Sequence, residues 1–432
     1  MNVNIFWFRR DLRLDDNTAL FYALKSNCPV LAIFIFDTTI LNKLENKNDS
    51  RVNFIHKSIE ELHKKITLLG STLLVLHGKP EKVFEELITK YNIANVFTNN
   101  DYEPYALERD NNVKRILEKN KIAFITYKDH VIFEKLEVAK EDGKPYTIFT
   151  PYSKKWKTTL QQNEIKINNC QQYFNNFLPQ TPSKILSLKE IGFEKSKQKF
   201  PLNYVETDLI KNYKAQRDIP SIEGTSHLGL HLRFGTISIR QLAKRSENHS
   251  ETFMNELIWR DFYQMILYNF SYVGKSKSFK PAYDKIVWRN SEEDFVAWCN
   301  GKTGYPIVDA GMNELNTTGF MHNRVRMIVA SFLCKHLLLD WRLGEAYFAE
   351  KLLDFDFAAN NGGWQWAAGS GCDAAPYFRI FNPYLQTKRF DSDLKYIKKW
   401  VPNFQEFSYP KPIVEHSFAR DRCLKIYKEA LR

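Results

Sequence analysis

The chain lacks any apolar run that is long enough to cross a membrane. Among its 432 residues the longest strongly apolar stretch is Val30–Phe36, whereas a transmembrane helix needs about 20 apolar residues. The layout of a signal peptide is missing too, because the apolar stretch Val3–Phe8 precedes the positive charges instead of following them. We therefore expect a cytoplasmic protein that does not associate with membranes.

Paired cysteines and a dinucleotide-binding glycine motif are also missing. The six cysteines lie far apart without any CxxC spacing, which favours neither a disulfide framework nor a zinc site. We expect buried structural thiols and no metal site. No GxGxxG sequence follows the first predicted strand, so nothing indicates a dinucleotide in that region. The sequence shows no internal repeat and no low-complexity segment.

The chain carries a surplus of positive charge. Its net charge of +12 and its pI near 9.1 suit an anionic partner such as nucleic acid. The surplus is spread along the sequence, so bulk charge does not locate that partner.

Strand and helix signals alternate over residues 1–128. Runs rich in Val, Ile and Phe predict strands at Val3–Phe8, Val30–Phe36, Thr72–Leu76, Asn95–Thr98 and Ile122–Thr126. Helical patterns are predicted between them at 17–25, 51–69, 80–91 and 103–120. This alternation predicts a doubly wound parallel sheet in an α/β domain, with any ligand at the carboxyl ends of the strands.

The rest of the chain has a different character. Residues 129–200 contain prolines and polar stretches that break any period, which predicts a long connector. From 201 to 432 strand alternation disappears, and we predict an all-helical domain. Its clearest helical patterns are Glu251–Tyr268, Gly311–Asn316, Asn323–Leu339 and Gly344–Leu353.

Polar residues at helical spacing single out the region from 301 to 383. Asn323, Arg326 and Met327 share one predicted helix face, which suits a cavity wall, although an Arg there is also a common ion-paired rim residue. Arg326 could pair with Asp354 or Asp356. The pair Gly362-Gly363 indicates either a close approach of backbone to a ligand or a helix boundary, since each glycine costs about 1 kcal/mol in a helix interior.

Two segments upstream carry related signals. Glu256 and Trp259 lie one turn apart, so a carboxylate stands beside an aromatic platform that fits a flat ligand with a polar edge, or simply a half-buried Glu. The segment from Glu223 to Gly229 reads as a turn that enters a helix, either as a phosphate cradle or as a plain N-cap.

Five of the nine tryptophans fall between 288 and 366, where core packing explains most single tryptophans.

The motifs of this chain resemble those of the photolyase/cryptochrome family over nearly the whole sequence. Segments similar to the family's signatures are Phe6–Asn17, TIFTPYSKKW at 147–156, Gly301–Ala310, Asn360–Ala367 and DAAPYFRIFNP at 373–383. The resemblance is closest to class I cyclobutane pyrimidine dimer photolyases. It implies an α/β domain plus an all-α domain that binds FAD, and DNA with cyclobutane pyrimidine dimers as the partner of a monomer.

The resemblance also implies roles for individual residues. FAD would contact Tyr213, Thr225, Ser226, His227, Leu228, Gly229, Phe253, Asn323, Arg326, Asp354, Phe355, Asp356 and Asn360, where the family more often has Ser at the position of Gly229. Asn360 matches the position opposite flavin N5. The three-tryptophan electron relay would be Trp364, Trp341 and Trp288. The dimer pocket would contain Glu256, Trp259, Asn323, Met327 and Trp366, and DNA contacts would add Arg217, Arg260, Arg324, Lys388 and Arg389.

The choice of branch depends on two positions. Members that repair (6-4) photoproducts carry histidines where this chain has Asn323 and Met327, so the resemblance implies cyclobutane-dimer repair by blue-light-driven electron transfer from reduced FAD. A cryptochrome-type photoreceptor is the alternative, and it is disfavoured because few residues follow the last motif. Arg51, Asp101 and Glu103 look like a deazaflavin-type antenna site more than a folate-type one, although structural ion pairing explains them nearly as well.

Overall fold

The five apolar runs of the N-terminal region form one parallel sheet. In the computed structural model, which describes all residues from 1 to 432, the strands are β1 (Val3–Phe8), β2 (Val30–Asp37), β3 (Leu73–Gly78), β4 (Ile93–Asn99) and β5 (Ala123–Tyr127). Their order across the sheet is β3-β2-β1-β4-β5. Every residue of β1 and β2 is buried, as expected for parallel strands that are covered on both faces. The predicted doubly wound parallel sheet is confirmed.

Helices lie between and after the strands. Those of the first 134 residues are α1 (Thr18–Lys25), α2 (Thr38–Leu41), α3 (Ser50–Leu68), α4 (Pro80–Lys90) and α5 (Pro104–Lys119). The following ones are α6 (Phe149–Gln162), α7 (Thr207–Gln216), α8 (Gly229–Phe234), α9 (Ile239–Glu247), α10 (Glu251–Asn269), α11 (Glu292–Cys299), α12 (Pro306–Thr318), α13 (Asn323–Ser331), α14 (Trp341–Lys351), α15 (Phe357–Ala368), α16 (Pro383–Phe390), α17 (Lys395–Trp400) and α18 (His416–Ala430). No strand follows β5, in agreement with the predicted all-helical C-terminal part. No helix is both long and apolar enough to cross a bilayer.

The compact units of the structure are built from interleaved segments. The first unit comprises Met1–Glu134, Leu160–Tyr204 and Leu228–Glu247, and the second comprises Lys135–Thr159, Val205–His227 and Asn248–Arg432. The linear boundaries that we predicted after residues 128 and 200 do not follow this division. The predicted connector, 129–200, contributes α6 and the 3-10 turn Cys170–Asn176.

A buried ion-pair network attaches α9 to the sheet-containing unit. Asp129 accepts hydrogen bonds from Arg13 at 2.8 Å and from Arg240 at 2.8 Å, and Arg240 also bonds to Asp16 at 3.0 Å. Although burial alone raises it, the two guanidinium groups hold the pKa of Asp129 well below its usual value. Because each buried charge has a partner, removing one of them would leave another uncompensated.

The core of the second unit is aromatic. Trp298, Trp341 and Trp364 are at most 2% exposed and belong to one hydrophobic cluster. The Gly362-Gly363 pair lies in the interior of α15, so a helix boundary at these glycines is wrong. A Cβ at Gly362 would stand 2.2 Å from the Tyr263 ring, so a close side-chain contact requires that glycine. All six cysteines are free thiols.

Candidate functional site: a polar and aromatic cluster of the helical unit

One face of α10 presents a carboxylate that is held by an arginine. Glu256 forms an ion pair with Arg217, which follows α7. Burial raises the pKa of the Glu256 carboxyl, and the Arg217 guanidinium opposes this rise. Arg217 also lies 5.4 Å from the centre of the Tyr213 ring. The Arg217 side chain is therefore fixed between a carboxylate and an aromatic ring.

The start of α13 places two of the predicted pocket residues, Asn323 and Met327, beside Arg324, a predicted DNA contact. Asn323 is exposed at the first position of the helix, and His322 caps it by accepting a hydrogen bond from the Arg324 backbone at 3.1 Å. The Arg324 guanidinium donates to the Met327 sulfur at 3.5 Å and to Asp218 at 2.8 Å. This end of α13 thus combines an amide, a thioether and a guanidinium group.

Trp259 stands between two other aromatic rings. The Phe149 ring stacks on it at 3.6 Å with planes 4° apart, and the Tyr263 ring lies 5.4 Å away on a tilt of 29°. The Phe149 backbone donates to Asp373 at 3.1 Å. Phe149 was not among the predicted site residues, although it lies inside the TIFTPYSKKW motif that could have indicated it. With Phe149 stacked on it, one face of the Trp259 ring is already covered within the protein.

The other predicted aromatic platform, Trp366, is half-buried on α15. Its ring lies 6.4 Å from Phe381 in the DAAPYFRIFNP segment. A cavity of about 10 Å³ beside it is lined by Trp366, Lys335 and Arg379, among others. No ring contact joins Trp366 to Trp259, so the two tryptophans form separate platforms.

Several of the residues predicted to contact FAD lie at or near the start of α15. Arg326 donates to both oxygens of Asp354 at 2.9 and 3.1 Å; Asp354 is one of the two partners that the sequence allowed. Asp356 caps α15 by accepting from the Ala359 backbone at 3.2 Å. Asn360, one turn into the helix, donates to the backbone oxygen of Glu345 at 3.1 Å. Phe355 is half-buried between the two aspartates.

The remaining residues predicted to contact FAD lie in two places. Phe253 is buried on α10 and meets the Tyr213 ring edge-on at 5.0 Å. Thr225, Ser226 and His227 form the loop of the second unit, where the His227 backbone has a φ of 52° and its ring lies 4.1 Å from Phe320. Leu228 and Gly229 start α8, which belongs to the first unit.

The three predicted relay tryptophans gather in one cluster. Trp364 and Trp341 are both buried in it, and Trp288 packs against it while half-exposed to solvent. Trp288 also meets the Tyr427 ring edge-on at 6.0 Å. Two of the three tryptophans are thus buried and the third is partly exposed.

Two of the predicted DNA contacts lie near the same aromatic ring. Arg324 and Arg389 lie 4.4 and 5.1 Å from the centre of the Phe390 ring. Lys388 and Arg389 are exposed in the last turn of α16, and Arg260 is half-buried on α10. Phe390, which sequence reasoning missed, thus brings two arginines together.

The predicted antenna residues separate into two groups. Asp101 and Glu103 both contact Arg10 in the first unit, at 3.2 and 3.0 Å, and Glu103 also pairs with Arg233. Arg51 pairs with Asp49, the residue that caps its own helix α3. The structure does not bring Arg51 to the other two residues through any ion pair.

The cluster around α15 fits the polar edges of a flavin. Arg326, Asp354, Asp356 and Asn360 together supply both donor and acceptor groups, as the polar edges of a flavin ring require. The exposed Gly363 on the same helix has no atom within 4 Å of a built Cβ, so a flat ligand can approach its backbone closely. Gln264 Oε1 is buried without a partner beside Asp356, as a polar ligand group would require.

Comparison with known proteins agrees with this chemistry. Residues 4–170 match the DNA photolyase family, and residues 253–408 match the FAD binding domain of DNA photolyase. The deoxyribodipyrimidine photo-lyase of Vibrio cholerae is 35% identical over 470 residues, which cover 99% of this chain and 100% of the relative. The protein of that name from Halobacterium salinarum is 35% identical over 481 residues, with 99% of both chains covered.

Solved structures show the same similarity. A class III photolyase from Agrobacterium tumefaciens has a TM-score of 0.87 and 31% identity, with 100% of this chain and 98% of that chain covered. A Sulfolobus tokodaii photolyase with two FAD molecules has a TM-score of 0.82 and 33% identity over 99% and 100% of the two chains. The Synechocystis cryptochrome has a TM-score of 0.84 and 25% identity, with 99% of both chains covered. The chain therefore belongs to the DNA photolyase family and carries that family's FAD-binding domain.

Proposed function

We propose that this chain repairs cyclobutane pyrimidine dimers in DNA under blue light, with FAD as its cofactor. The observation that carries the proposal is the joint presence of Glu256, Asn323 and Met327 in the helical unit that holds the flavin-fitting cluster. FAD supplies a light-driven, reversible transfer of one electron to the dimer. The relatives named deoxyribodipyrimidine photo-lyase support this assignment.

Glu256 binds the polar edge of the dimer in this proposal. Its carboxylate accepts a hydrogen bond from a pyrimidine N–H, and the Arg217 guanidinium opposes the rise in the pKa of this carboxyl that burial causes. A charge-assisted bond of this kind is roughly twice as strong as a neutral one. The ion pair with Arg217 orients Glu256 before the substrate arrives. When the dimer binds, it displaces Arg217 or shares the Glu256 carboxylate with it.

Apolar and soft groups hold the rest of the dimer. Trp366 and the edge of Trp259 provide apolar walls, and Met327 adds a polarisable sulfur. Extruding a base from the duplex costs a few kcal/mol and costs least at a distorted site. The walls and the exposed Asn323 amide offset that cost without reading sequence.

Basic residues position the DNA backbone. Arg324, Lys388 and Arg389 meet phosphates, and Arg217 and Arg260 contact the strand near the lesion. Phosphate contacts fix register without sequence information. Affinity for dimer-containing DNA is accordingly expected to fall steeply with salt concentration.

A blue-light repair assay tests the proposal. The flavin-loaded, chemically reduced protein is mixed with an oligonucleotide that contains one thymine dimer, and the restored thymines are counted after illumination. We expect restoration that requires both light and reduced flavin. Restoration of a (6-4) photoproduct instead, or no light-dependent turnover, would reject the proposal. A flavin that changes redox state in light without any repair would favour the cryptochrome-type alternative. The structural similarity to the Synechocystis cryptochrome supports this second candidate.

We also propose a second, light-harvesting chromophore in the first unit, of the deazaflavin type rather than the folate type. In a sheet of order β3-β2-β1-β4-β5, ligands bind at the carboxyl ends of the two strands where the winding reverses, here β1 and β4. Arg10, Asp101 and Glu103 follow those strands, and the Sulfolobus relative holds two FAD molecules. Extraction of the purified protein and identification of its chromophores by mass tests this point.

A further inference from the structure

A buried glutamine next to the flavin-fitting cluster has a donor with a partner and an acceptor without one. Gln264 lies on α10 and is 2% exposed. Its amide nitrogen donates to both oxygens of Asp356 at 3.1 and 3.2 Å. Its carbonyl oxygen, Oε1, is buried and has no hydrogen-bond partner in the protein. Such an atom destabilises the folded protein unless something donates to it.

The orientation of this amide follows from chemistry. The Asp356 carboxylate accepts hydrogen bonds and does not donate them, so the Gln264 nitrogen has to face it and the oxygen has to point elsewhere. A flipped amide would set an oxygen against the carboxylate and would be repelled. The unpartnered acceptor is therefore a consequence of Asp356.

Gln264 continues the functional stripe of α10. Glu256, Arg260 and Gln264 follow one another at intervals of four residues, which places them on one helix face. Asp356 caps α15, the helix that carries Asn360 one turn later. Gln264 thus joins the α10 face that we assign to the lesion to the helix end that we assign to the flavin.

We infer that Gln264 is a flavin-positioning residue, whose Oε1 accepts a hydrogen bond from a donor group of bound FAD while its amide nitrogen fixes the Asp356 carboxylate. The inference rests on the proposed placement of FAD against Asp354, Asp356 and Asn360. A neutral amide suits this position, since it donates to a carboxylate and accepts from the ligand at the same time.

FAD titration of the full-length apoprotein tests the inference, with fluorescence as the measure of the dissociation constant. Gln264→Leu removes both hydrogen bonds at similar volume, and we expect FAD affinity about tenfold weaker, which corresponds to about 1.4 kcal/mol. The flavin-induced rise in Tm falls accordingly. An affinity within twofold of the parent protein would overturn the inference.

Gln365→Leu is the matched control. Gln365 is also buried, but the protein satisfies its amide: Oε1 accepts from the Phe279 backbone at 2.7 Å, and Nε2 donates to the Lys277 backbone at 3.2 Å and to Asn361 at 3.0 Å. Its loss lowers the Tm of the apoprotein and leaves FAD affinity within twofold. If Gln365→Leu weakens FAD as much as Gln264→Leu does, loss of packing explains both and the inference fails.

Gln264→Glu adds a readout that packing alone does not move. Two carboxylates, Glu and Asp356, would then face each other, so one of them must take a proton. The protonated pair restores a donor toward the carboxylate and an acceptor toward FAD, so affinity should recover at pH 6 and fall at pH 8.5. Affinity of this variant that does not change with pH overturns the inference. Failure of the parent protein to bind FAD at all overturns the flavin assignment as well.

Discussion

Lys335 offers a direct test of how burial acts on a charge in the helical unit. It lies in the π-helical segment Phe332–His336 and is 2% exposed. Its ammonium donates to the Ala368 backbone oxygen at 3.0 Å and stands 3.9 Å over the Tyr427 ring. No carboxylate pairs with it. Burial accordingly lowers its pKa from 10.5 to about 8.

The magnitude follows from the pKa difference. A difference of about 2.5 pKa units at 1.36 kcal/mol each is about 3 kcal/mol. Between pH 8 and 10.5 the unfolded chain binds more protons at Lys335 than the folded chain, so stability rises with pH across that window. Below pH 8 both states are protonated, and the full cost of burying the ammonium is present.

The test compares the parent protein with Lys335→Met from pH 7 to 10.5. The variant has no ammonium at this position. As the pH rises over this range, the free energy of unfolding of the parent should therefore increase by about 3 kcal/mol relative to that of the variant. For a unit of this size, this corresponds to a relative increase in Tm of about 6–12 °C. Lys302→Met, which replaces an exposed lysine, should show no such change. Parallel stability curves for the parent and Lys335→Met would refute the reasoning.

Three further outcomes are expected. Trp364→Phe should abolish photoreduction of oxidised flavin and spare repair by chemically reduced flavin, as transient absorption and the repair assay can show; normal photoreduction would contradict the relay. Gly344→Ala places a Cβ 2.0 Å from the Trp364 ring, so it should lower stability by about 1–3 kcal/mol and slow photoreduction; unchanged stability would contradict the tight packing of Trp364. Arg217→Met removes the cation that opposes the raised pKa of Glu256, so the acid limb of the repair profile should move to higher pH; an unchanged profile would exclude Glu256 as a charged acceptor.

Local pattern predicted the sheet well, because a parallel strand that is buried on both faces needs a continuous apolar run. The predicted strand Val3–Phe8 is the observed β1, and α3 differs from its prediction by one residue at each end. The helix predicted from Asn323 to Leu339 is partly wrong, since α13 ends at Ser331 and a π-helical turn follows. A π turn depends on how neighbouring segments pack, and apolar spacing does not report it.

In the candidate site, too, local sequence spacing predicted some groupings and the packing of helices decided the others. Spacing along α10 and α13 was enough to group Glu256 with Trp259 and Asn323 with Met327, since helical geometry fixes which residues share a face. The sequence did not predict which side chains contact each other across different helices. The stacking of Phe149 on Trp259, for example, joins residues that are distant in sequence.

Sequence alone determined the class of each half of the chain, the order of its elements and the residue types available for flavin and dimer chemistry. Tertiary structure decided which polar side chains form hydrogen bonds and ion pairs with each other. Arg326 could have paired with either aspartate; Asp354 takes it, because Asp356 is already engaged by the start of α15 and by Gln264. Hydrogen-bond partners depend on distances between helices, and those distances are set only when the whole core packs.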